Sequence, residues 1–168
     1  MNTTLNLSYQ ELEKIPDSVL EKFYLESLII GDKFNIQDDF GHPQEYSDGD
    51  WKFLNKLKKL PNNLNHLKNL KNLDLRGNRL KKAVLTDFPN LEHINLERNE
   101  LKTIQLQDLP LLQSLNLSHN QFVKISIKDL PNVEHLKLYH CQLEKAQIHK
   151  MANLVEVNLK ENRLHSIS

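Results

Sequence analysis

The side chains best suited to chemistry in this 168-residue chain are His93, His119, His135, His140, Tyr139 and Cys141. Neutral imidazole is a common metal ligand and titrates closest to neutral pH. A thiol activated by an imidazole is a nucleophile. The spacing specifies neither: no ordered set of three or four ligands emerges, and no Cys-His arrangement is fixed by motif. His119 and His140 do lie 21 residues apart, and His93 and His135 twice that. The period itself therefore has to be explained first.

Leu70, Leu91, Leu112, Val133 and Leu154 share the 21-residue spacing, as do Asn78, Asn99, Asn120, Cys141 and Asn162. Each register reads Leu-x-x-Leu-x-Leu-x-x-Asn-x-Leu, as in "LEHINLERNEL" from Leu91 to Leu101. The pattern accounts for the dominance of two residue types, 32 leucines and 19 asparagines. In a strand, successive side chains face opposite ways, so Leu115 and Leu117 point inward while Ser114, Asn116 and Ser118 point outward. One such unit cannot enclose its apolar face, but stacked copies form a parallel sheet over a continuous core. The asparagine falls where the chain leaves the strand, and its amide can both donate to and accept from backbone groups left unpaired there. Cys141 stands in that slot and is read as a structural thiol. Past the asparagine, "LKTIQLQDLP" and "FVKISIKDLP" return to period two through Ile104 and Leu106, and Ile125 and Ile127. That predicts a short extended segment on the opposite side.

This phrase, recurring in register, resembles the leucine-rich repeat family, and its period resembles the bacterial 21-residue class. The resemblance implies an α/β fold class: a solenoid with a parallel concave sheet of about seven strands and a convex side of short extended, 3-10 or turn segments. Residues 1–168 are read as a single leucine-rich-repeat domain. Two 23-residue repeats open it, the first with Leu5, Leu7, Leu12 and Ile15 and with Gln10 in the amide slot. Residues 33–54 form an insertion in repeat two, and repeat seven stops at Ser168 with its outer half incomplete. Open sheet edges invite pairing, so the expectation is an array that continues beyond this chain, tolerates its edges, or self-associates edge to edge.

With 22 basic and 22 acidic residues, the chain lacks the basic excess that nucleic-acid or membrane-surface binding calls for. Residues 51–82 hold ten bases and one acid, but residues 1–50 hold eleven acids and three bases, which would screen that stretch. A single cysteine suits a reducing compartment. The N-terminus shows no secretory pattern and no stretch approaches a membrane span. Cytoplasmic residence is expected, with no nucleic-acid or membrane partner. No Gly-rich phosphate loop or catalytic constellation is present, so a non-enzymatic protein with no cofactor and no metal is expected.

The outward rows are polar and varied where the inward rows are uniformly apolar. They suggest a concave platform for a protein or peptide, with His93, Asn95, Glu97, Arg98, Ser114, Asn116, His119, His135, Lys137, Tyr139 and His140 as candidate contacts. The insertion adds Phe40, Tyr46 and Trp51 from its five of the chain's eleven aromatics, because aromatic side chains are favoured anchors. It reads equally as a flap whose acids fold back on Lys56, Lys58, Lys59 and Lys68. Two alternatives accompany this reading: a recognition segment of a larger bacterial signalling or effector protein, and a metal-dependent protein using the histidine patch.

Overall fold

The computed structural model describes residues 3–31 and 55–167. The insertion, with Phe40, Tyr46 and Trp51, lies outside the described residues. Seven three-residue strands, β1 (Thr4–Asn6), β2 (Ser27–Ile29), β3 (Asn72–Asp74), β5 (His93–Asn95), β7 (Ser114–Asn116), β9 (His135–Lys137) and β11 (Glu156–Asn158), form one parallel sheet in that order. Between them run the outer strands β4 (Lys82–Thr86), β6 (Thr103–Gln107), β8 (Lys124–Lys128), β10 (Lys145–His149) and β12 (Ser166–Ile167). The outer strands make two separate parallel sheets, β4-β6 and β8-β10-β12. Among the described residues, helix is confined to one turn after Pro16, α1 (Asp17–Leu20), and a 3-10 turn at Leu64–His66.

Register follows from the apolar pattern. Leu5, Leu28, Leu73, Ile94, Leu115, Leu136 and Val157 are paired strand to strand without a slip. A slip of one residue would turn every inward leucine to water. Leu28, Leu73, Ile94, Leu115 and Leu136 are buried, and with Leu75, Leu96, Leu117 and Leu138 they belong to one continuous hydrophobic core. Each fully buried side chain of this kind contributes roughly 1.5–3 kcal/mol.

The strands are short because their own last residue ends them. The side-chain oxygen of Asn6, Asp74, Asn95, Asn116 and Asn158 accepts the amide N–H two residues on, at 3.0–3.1 Å. This local bond competes with continued pairing. The chain then passes through a left-handed residue: Tyr9, Gly77, Arg98, His119, His140 and Glu161 all have φ between 53° and 67°. Glycine adopts this conformation without a steric cost, whereas the others cost about 1–2 kcal/mol each. A second left-handed residue per repeat, Asp87, Asp108, Asp129 or Lys150, returns the chain inward at the end of the outer strand.

Across these turns runs an asparagine ladder. Asn99 Nδ2 donates to Leu96 O of its own repeat at 3.1 Å and to Leu75 O of the preceding one at 3.0 Å, while its Oδ1 accepts from Leu80 N at 3.1 Å. Asn120 does the same with Leu117 O, Leu96 O and Leu101 N, at 2.8, 3.0 and 2.9 Å. Asn55 makes the equivalent bonds to Ile30 O, Leu7 O and Leu12 N, at 3.1, 2.8 and 2.8 Å. The first repeat differs from expectation. Gln10 is exposed and, among the described residues, its side-chain amide donates to Ser8 O, at 3.4 Å, within its own repeat. Cys141 occupies the slot, as expected, with Sγ 3.2 Å from Leu117 O. It offers Phe122 N no replacement for the asparagine oxygen, and that N–H has no acceptor among the described residues.

A second ladder, not anticipated from the sequence, runs along the opposite turns. Asn69, Asn90 and Asn132 donate to Phe23 O, Lys68 O and Pro110 O of the preceding repeat at 2.8, 2.9 and 2.6 Å. Leu111 holds the same register position and is exposed. Among the described residues no helix is long and apolar enough to cross a membrane.

Replacing Asn120 by alanine strands Leu96 O, Leu117 O and Leu101 N in the interior, and we expect a loss of about 3 kcal/mol or more at 1–3 kcal/mol per unmade bond. Cys141→Asn supplies the missing acceptor for Phe122 N and should raise stability by about 1 kcal/mol. Urea denaturation of both variants checks the pair; a destabilised Cys141→Asn would show that the ladder is not what limits this repeat.

Candidate functional site

The concave sheet presents two outward rows. Strand register places Ser27, Asn72, His93, Ser114, His135 and Glu156 in one row, and Ile29, Asp74, Asn95, Asn116, Lys137 and Asn158 in the next. Between adjacent strands the step is ~4.8 Å. A hollow of about 470 Å³ opens over β2, β3, β5, β7 and β9, lined by Ile29, Asp74, His93, Asn95, Ser114, Asn116 and Lys137 among others. Of the residues expected on this face, His93, Asn95, Ser114, Asn116 and Lys137 therefore converge on one depression. His135 lies beside it, with Nδ1 3.4 Å from Glu156 Oε2.

Part of this row serves the fold. Asn95 and Asn116 spend their oxygens on the strand-ending bonds, and Asn116 Nδ2 donates to Glu97 Oε2 at 3.0 Å. Glu97 also lies 3.6 Å from Arg98 Nε. Asp74 and Arg76 form a bidentate pair, Nε to Oδ2 at 2.9 Å, which holds the guanidinium charged. Gly31 leaves room for that pair, since a β-carbon there would sit 2.9 Å from Arg76 N and against Asp74 Oδ1. Ser118 departs from expectation. Alternation along the strand places it outward, yet it is buried, with its Oγ accepting from Tyr139 N at 3.3 Å under the neighbouring turn.

A second group gathers at the turn beyond the strands. The rings of His119 and Tyr139 meet edge to face at 5.1 Å, and His119 and His140 lie 5.3 Å apart. Glu161, absent from the expected set, completes the group. Its Oε2 lies 3.2 Å from His140 Nδ1, and the Tyr139 hydroxyl donates to it, which keeps the carboxylate ionised below its usual range. The signal for Glu161 was available: residues 98, 119, 140 and 161 are one register position of the repeat. Partial burial and the nearby Arg98 charge push the His119 ring below the ordinary histidine value, against the opposing pull of Glu97 and Glu161. Among the described residues no three His, Cys, Asp or Glu side chains converge as a metal site requires. Cys141 is buried, and desolvation pushes its thiol up to about 11, so thiolate is scarce at neutral pH.

Residues 79–122 match the leucine rich repeat family, and the same parallel register runs through the rest of the described array, with Asn55 and Asn162 repeating the asparagine bonds. The described residues fold as a solenoid of the leucine-rich-repeat type. Among solved structures it is similar to a leucine-rich-repeat protein of Leptospira interrogans, at 23% identity and a TM-score of 0.40. That alignment covers 96% of this chain but 55% of the other, so the chain spans about half the length of that relative. No curated protein matches the chain. Leucine-rich-repeat domains generally mediate protein–protein interaction.

The depressed His119 value has a sign. Between the folded and unfolded values the unfolded chain binds more protons, so this group's contribution to stability is present above about pH 6.5 and is lost as pH falls through the histidine range. A titration followed by NMR should place the His119 midpoint below the ordinary value, and Arg98→Ala should move it upward. A midpoint at or above the ordinary value, unmoved by that substitution, would contradict the geometry.

Proposed function

We propose that this solenoid is a non-enzymatic recognition module that grips a protein or peptide on its concave sheet. The observation that carries the reading is the contrast between rows in a single register. The inward row is leucine and its analogues from β1 to β11, while the outward rows change identity at nearly every strand. An extended arc of unlike, regularly spaced side chains is what a repeat array offers a partner. Lys137 is exposed and carries no ion pair among the described residues. His93 and His135 stand two strands apart, roughly 10 Å, and can each contact a bound chain. His119, Tyr139, His140, Glu97 and Arg98 extend the contact surface onto the turns. The aromatic residues Phe40, Tyr46 and Trp51 of the insertion are included in this reading on composition, as anchors.

An affinity-capture experiment with the tagged chain tests it. The double variant His93→Glu with Lys137→Glu, both exposed, should keep its thermal melt and lose the captured partner by about tenfold or more, the scale of 1.4 kcal/mol. Lys128→Glu on the outer strand β8 should leave that partner in place. Retention by the concave variant together with loss by the outer one would refute concave recognition.

A further inference from the structure

We propose that the hollow on the convex side between repeats two and three is a second binding site, and that it takes an acidic peptide in extended conformation carrying an apolar side chain. The hollow exists because the outer halves of these repeats differ. Repeats three to six each place a five-residue strand on the convex side. Repeat two instead has Leu60, Pro61 and the 3-10 turn Leu64–His66. Proline has no N–H to give a ladder, so among the described residues β4 pairs with β6 alone and its other edge is open. A cavity of about 360 Å³ lies along that edge.

Its lining has two parts. Leu60 and Val84 supply accessible apolar surface over the buried Leu64 and Phe88, and Lys58, Lys59, Lys81 and Lys82 stand around it. Val84 is the telling residue. In register with it, Gln105 faces out from β6, and the outward residues at the centres of β8 and β10 are Ser126 and Gln147. Only beside the hollow is that outward position apolar, and Val84 is 43% exposed there. Among the described residues no acidic side chain lines the cavity. All four lysines are exposed and none has an ion pair among the described residues, whereas the nearby Lys68 is held by Asp87.

These features select the occupant. An unpaired strand edge offers backbone hydrogen bonds that an extended peptide completes, and pockets beside it read alternate side chains. Lysine on an edge strand repels a second basic strand and attracts an acidic one. A nucleic acid would use exposed rings for stacking; Phe88 is buried and, among the described residues, no other aromatic lines the cavity. No arginine is present for bidentate phosphate contact. The site faces away from the concave sheet, so it stands or falls independently of concave recognition.

The test is fluorescence polarisation on the full chain, with a labelled acidic peptide bearing one central leucine. Saturable binding is expected, weakening with added salt because the charges are exposed. Lys59→Glu with Lys82→Glu should reduce affinity by about tenfold or more, and so should replacing the peptide's leucine by serine. Lys124→Glu with Lys128→Glu on β8 should leave it unchanged. Thermal melts of both variants control for folding. The proposal is overturned if the wild-type chain shows no saturable binding, if the β8 variant loses as much as the β4 variant, or if a single-stranded oligonucleotide of equal charge displaces the peptide and binds tighter.

Discussion

Each time this chain leaves its parallel sheet, it buries carbonyl and amide groups that water cannot reach. An unpaired buried group of this kind costs as much as a lost hydrogen bond or more. One amide per repeat meets the demand, and it does so across the boundary between repeats: Asn99 binds Leu96 O and Leu75 O, and Asn120 binds Leu117 O and Leu96 O. The same side chain therefore closes a turn and fixes the register of two repeats. Leucine columns supply most of the free energy, but hydrophobic burial is non-directional. The ladder gives it direction. At Cys141 the tie thins to a thiol donor, and Asn162 of the next repeat carries the bonds to Leu138 O and Leu143 N.

With the interior and the turns committed to the frame, specificity is left to the side chains that point away. The two faces have separate characters. The concave rows mix His93, Asp74, Asn95 and Lys137, and several of their charges are already matched within the sheet. The outer strands β4, β6, β8 and β10 expose Lys82, Lys124, Lys128 and Lys145 and no carboxylate between their bounds. A neutral chain can thus carry a basic side, because net charge sums over faces that a partner meets one at a time. Net neutrality weighs against an anionic partner for the whole molecule and not for each face.

Much of this was legible in the residues. A 21-residue period returning leucine and asparagine to the same phase leaves one solution, stacked strands with one face shared. The seven inner strands and the extended outer segments follow from period two on either side of the asparagine. Gln10 stands in the right phase, yet its longer side chain stays exposed and bonds Ser8 O of its own repeat, a difference that phase alone does not reveal. The second ladder escaped because Asn69, Asn90 and Asn132 sit in polar turns, where asparagine needs no special explanation. Its mark, the Pro-Asn step of "FPN" and "LPN" at the same phase, was present. Ser118 looked outward by alternation, and only the overlying turn of Tyr139 buries it.

The sequence by itself determined the repeat, the inward rows and the slot of the ladder, because these depend on periodicity along one dimension. Only the tertiary structure decided what lies between repeats: the meeting of His119, Tyr139, His140 and Glu161, the matching of Asp74 with Arg76 beside Gly31, and the open edge of β4 behind Pro61. Those features depend on how the unequal lengths and turns of neighbouring repeats stack against each other. Distances between residues a full repeat apart are set by that stacking, and no single stretch of chain contains them.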